Sequence, residues 1–236
     1  MARKRQSSYM TAGEKIGGTI FFVIYLAVLP FVTTPLFHLA ELLLGMTIST
    51  ALQNTIYYYV VFALTVIIFH SFLADTTRAL GDRAGTAVKA VLMGLIALYG
   101  LNELVYRFTN LLLNNRTNLN DTSISAQMES APYTTLLIVI LLAPFVEEVL
   151  FRGLVFGNLR KISPFFAYTV SCLLFAFLHV WQFAVVKQDM TYFLLMVQYL
   201  VPGLVLAWAY DYAGTLWSPI LLHVAANALS AWSLLR

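Results

Sequence analysis

The chain alternates long apolar runs with short polar interruptions. Apolar stretches cover about 16–44, 52–74, 84–113, 133–156, 165–186, 191–210 and 216–235, each reaching or exceeding the ~20 residues needed to cross a bilayer core. The pattern predicts an all-α polytopic membrane helix bundle of about seven transmembrane helices. The first run, Ile16 to Leu44, exceeds the roughly 7–15 residues of a signal h-region, so it reads as a membrane helix bent near Pro30 and Pro35. The stretch Asn114 to Ser130, rich in Asn, Ser and Thr, reads as a loop. It separates residues 1–131, with about three N-terminal spans and this loop, from residues 132–236. Phe21-Phe22 and Tyr57-Tyr58-Tyr59 read as lipid-facing or interfacial aromatics.

Composition agrees with a membrane protein. Of 236 residues, 60% are hydrophobic and 11% charged, against about 25% charged in a soluble domain. The net charge of +3 lies in short loops and the N-terminus, which points to no nucleic-acid partner. Its distribution sets orientation. With the N-terminus inside, inner segments carry Arg3, Lys4, Arg5, Lys15, Arg78, Arg83, Lys89, Arg160 and Lys161, and outer ones Arg107, Arg116, Lys187 and Arg236. That bias predicts a cytoplasmic N-terminus in a multi-pass integral membrane protein, in the cell membrane if the source is bacterial. Asn115 and Asn120 head two Asn-x-Thr sequons in the loop assigned to the outside. The single cysteine, Cys172, excludes an intrachain disulfide and reads as a small core residue.

Against this background one stretch is anomalous. Leu141 to Gly153 carries Glu147, Glu148 and Arg152 inside an apolar run. A charged group at a membrane helix centre costs about 2.5–3.5 kcal/mol on insertion scales, so three together predict a functional site with partners elsewhere. Glu148 and Arg152 are four apart and can pair along one helix, whereas Glu147 is rotated about 100° and can face the bundle. The partners come late in the chain: Phe175 and His179 share one helical face, and His223 and Asn227 another. Glu147 with His179 could deprotonate a water, and His223 with Asn227 could donate hydrogen bonds to a developing oxyanion. That set suffices for peptide hydrolysis without a covalent intermediate. His38 and His70 lack such company and read as structural or interfacial. No His-Glu-x-x-His and no Gly-x-Ser occurs, so the usual zinc-protease motif and a rhomboid-like serine motif are both missing.

The series Glu147-Glu148-x-x-x-Arg152, Phe175-x-x-x-His179 and His223-x-x-x-Asn227 resembles the motifs of the CPBP family. That family comprises the type II CAAX-prenyl endopeptidases and the bacteriocin-processing or immunity membrane proteins. The resemblance covers about Tyr133 to Leu235 and implies a glutamate-type, metal-independent intramembrane endopeptidase with no cofactor. It implies that Glu147 and His179 activate water, that His223 and Asn227 form the oxyanion site, and that Glu148 and Arg152 support geometry or substrate. Phe175 would then contact substrate. The implied partners are the lipid bilayer and a membrane-associated peptide or lipidated protein. The family's common eight-helix bundle allows one further short helix. The alternative is a non-catalytic protein of the same fold that binds a peptide as scaffold or immunity factor.

Overall fold

The computed structural model of the chain describes residues 10–112 and 118–234. Arg3, Lys4, Arg5, Asn115, Arg116 and Arg236 of the charge and sequon patterns lie outside them. Among the described residues nine helices form the bundle: α1 (Ala12–Leu44), α2 (Thr50–Ile68), α3 (His70–Leu112), α4 (Leu119–Ser130), α5 (Pro132–Leu159), α6 (Pro164–Leu178), α7 (Trp181–Lys187), α8 (Met190–Ala213) and α9 (Trp217–Leu234). Among the described residues five of these are long and apolar enough to cross a membrane, and a sixth span arises if α6 and α7, bent by 41°, count as one. The all-α membrane helix bundle expected from the sequence is present. The helix α9 is present with its 18 residues, but Ser218, His223 and Asn227 dilute its apolar character.

Three local departures from the sequence reading have physical causes. The helix α1 runs through Pro35, and its irregularity is a wide π-type turn at Ile24–Val28. Pro30 follows that turn; it has no N–H to give and its ring crowds the preceding turn, which a widened turn relieves. Residues 75–83, expected between two spans, are helical, because α3 starts at His70 and only kinks at Arg83. Its first turn is capped from a distance. Buried Glu14 uses one carboxylate oxygen to accept the Phe72 backbone N–H at 2.7 Å and the other to accept that of Thr11 at 2.7 Å. The expected loop 114–130 contains the helix α4 from Leu119, whose N-cap Asn118 accepts the Asn120 N–H at 3.0 Å. With no apolar stripe, α4 has no periodicity to read.

The core lies where α8 packs against α3, α6 and α9, with α9 also on α3 and α6 on the second half of α5. Phe69, Phe72, Phe151 and Leu222 are buried completely or nearly so. Phe21 and Phe22, expected to be lipid-facing or interfacial, are buried too, and Phe22 meets Phe151 edge-on at 5.3 Å. Close helix approach depends on small residues. A Cβ on Gly203 would meet the Cys172 backbone at 3.3 Å, so α8 and α6 touch there nearly backbone to backbone. Gly214 ends α8 with φ +69°, and a Cβ there would strike the Arg83 guanidinium.

Candidate active site

The site is built on α5, where wide turns at Ile138–Leu142 and Glu148–Phe156 flank the single α-helical turn Ala143–Glu147. Pro144 cannot donate the hydrogen bond that would close the preceding turn, and widened turns of this kind often accompany functional residues. They leave Glu147 8% and Glu148 0% exposed on different sides of the helix.

Glu148 is the hub of a buried ionic network. Its Oε1 accepts Arg152 Nη1 at 3.0 Å, the i,i+4 pair legible in the spacing, and also His223 Nδ1 at 2.8 Å. Arg152, 0% exposed, donates Nη2 to the Gly203 carbonyl at 3.1 Å and lies 4.3 Å above the Phe175 ring. The bond to Glu148 leaves Nε2 as the free nitrogen of His223. Asn227 donates Nδ2 to the Val139 carbonyl at 2.8 Å, inside the first wide turn, which leaves its second N–H free of that bond.

The second acid faces elsewhere. Glu147 Oε2 lies 3.9 Å from His179 Nε2. His179 Nδ1 is 2.9 Å from the Phe175 carbonyl, and because a carbonyl only accepts, Nδ1 carries the proton. In the neutral ring Nε2 is then an acceptor, so two acceptors face each other across a gap too long for a direct bond. Glu147 Oε2, Glu148 Oε2 and Arg152 Nε are buried polar atoms with no protein partner, all three at this site. Among the described residues no three His, Cys, Asp or Glu side chains converge as metal ligands.

Two groups of residues around the site differ from the sequence reading. Phe175, expected to touch substrate, is 2% exposed; its ring sits under Arg152, 4.6 Å from the His179 ring and 6.0 Å from that of His223. Tyr57 and Tyr58, expected to be lipid-facing or interfacial, are half-buried, and α1, which carries buried Tyr25, and α2 both pack against α5. So these N-terminal helices support the helix that carries both acids. Tyr199 was not indicated by the motif spacings at all. Its ring stacks on His179 at 4.4 Å with 24° between planes. A polar Gln198-Tyr199 pair within an apolar run was the only sequence sign of it.

Residues 129–229 match the family model described as Type II CAAX prenyl endopeptidase Rce1-like. That match supports the CPBP family for this region. No curated protein and no solved structure gave a match to the chain. The CPBP match spans every motif residue from Glu147 to Asn227 and leaves α1, α2 and α3 outside it. With several long apolar helices it makes the chain an integral membrane protein with a protease-family region.

Proposed function

We propose that the chain is an intramembrane endopeptidase that cleaves a membrane-associated peptide or lipidated protein with a water activated by Glu147 and His179. The observation that carries this reading is the pair of acceptors, Glu147 Oε2 and His179 Nε2, facing each other at 3.9 Å. Two hydrogen bonds of ~2.8 Å meeting at about a right angle span ~4 Å, so one water donating a proton to each matches this gap. The water oxygen attacks the scissile carbonyl carbon while one of its protons passes to Glu147. Collapse of the tetrahedral intermediate breaks the C–N bond, and that proton moves to the leaving amine, giving a carboxylic acid and an amine.

The oxyanion needs donors. Asn227 offers its second N–H, and His223 offers Nε2–H when its ring carries both protons, with Glu148 holding Nδ1 in line. Glu148 and Arg152 then orient His223, and Phe175 is a positioning residue beneath the site, not a substrate contact. The family description makes a prenylated CAAX-type peptide the first substrate to test. The excess of positive charge in the segments of one side supports a cytoplasmic N-terminus.

In proteoliposomes with a farnesylated CAAX-type peptide, Glu147→Ala and His179→Ala should each abolish cleavage while insertion and unfolding temperature stay near wild type. A peptide-binding scaffold would show no turnover at all and retain peptide binding in both variants.

A further inference from the structure

We propose that Tyr199, whose ring stacks on His179 and whose hydroxyl pairs with Asn118 at the head of α4, is the positioning residue for His179. This rests on the reading of His179 as the group that shares the water's proton with Glu147.

His179 is poorly braced by its own backbone. It follows the last residue of α6 at the break before α7, where the two helices diverge by 41°. Its orientation therefore depends on what touches the ring. The Phe175 carbonyl fixes Nδ1 at 2.9 Å, and the Phe175 ring lies 4.6 Å away. The Tyr199 ring, from α8, stacks at 4.4 Å and 24°. These contacts leave the Nε2 edge turned toward Glu147.

Tyr199 is itself held at its far end. Its hydroxyl accepts Asn118 Nδ2 at 2.8 Å and donates to Asn118 Oδ1 at 3.1 Å. Asn118 Nδ2 also reaches Gln198 Oε1 at 3.0 Å, and Gln198 Nε2 reaches Thr109 Oγ1 on α3 at 3.1 Å. A phenol in an apolar bundle needs a polar partner, and this one has a two-point clasp on the residue that caps α4. The polar helix α4 is thereby tied to the site. A tyrosine that only filled space would not need the near-parallel stack on His179.

The test uses full-length protein in lipid nanodiscs with 15N-labelled histidine. Four histidines occur in the chain, and the signals lost in His179→Gln assign that ring. Wild type and Tyr199→Phe, which keeps the stack, should show a single Nδ1–H tautomer of His179. Tyr199→Leu should show a mixture of tautomers, and Tyr199→Met, closer in volume, takes its place if Leu prevents insertion. On the farnesylated peptide the non-aromatic variant should lose at least about tenfold in kcat with KM within about twofold, whereas Tyr199→Phe stays within about threefold of wild type. Wild-type tautomer signals and wild-type kcat in the non-aromatic variant would overturn the assignment. His179→Gln separates the two claims. If it cleaves like wild type, the water-activation reading fails whatever Tyr199 does; if it is inactive while Tyr199→Leu behaves as wild type, only the Tyr199 assignment fails.

Discussion

Glu147 and Glu148 are neighbours in sequence with different surroundings. Glu148 is enclosed by Arg152 and His223, while Glu147 faces His179 with an unpartnered oxygen. Removing one member of a buried ion pair strands the other charge and costs about 3–5 kcal/mol. Glu148→Leu should therefore destabilise the protein by about that amount, because Arg152 has 0% exposure and only the Gly203 carbonyl and the Phe175 ring remain to it. Reversible unfolding in a denaturing detergent measures this; a loss below about 1 kcal/mol would show that the network is not structural. The i,i+4 pairing of Glu148 with Arg152 was legible from spacing because one helix fixes both ends. The bond from His223 to Glu148 was not, since it joins residues 75 apart in sequence.

At the scale of elements, α5 and the contact of α8 with α6 set the geometry. Gly203 serves twice: its missing side chain lets α8 approach Cys172, and its carbonyl receives Arg152. Gly203→Leu should push the helices apart, cost about 1–3 kcal/mol in the same unfolding measurement and lower cleavage as Arg152 loses its carbonyl. The long apolar helices were legible because twenty-odd apolar residues leave few alternatives in a bilayer. The helix α4 was hidden because a polar helix has no apolar stripe and depends on its cap and on partners such as Asn54, whose amide meets Gln127 at 2.8 Å. The same limit applies to Tyr25, Tyr57 and Tyr58. Aromatics in apolar runs read alike whether they face lipid or another helix.

For the molecule as a whole, the matched region carries the motif residues, and α1 and α2 of the N-terminal part pack against α5. Truncating α1 would therefore remove packing from the helix that carries both acids. Orientation is tested by labelling. Cysteines introduced at Ser130, the last residue of α4 just before α5, and at Lys161, in the turn after α5, should react with an impermeant maleimide from the outer and cytoplasmic sides respectively. Buried Cys172 should stay silent. Labelling of Ser130→Cys from the cytoplasmic side would reverse the topology. The central claim, though, is chemical. The most direct measurement is kcat of Glu147→Ala on the farnesylated peptide in proteoliposomes, with folding checked by its unfolding temperature. The account predicts a loss of at least about 100-fold, the lower range for a general base; a folded Glu147→Ala protein within about threefold of wild type would contradict it.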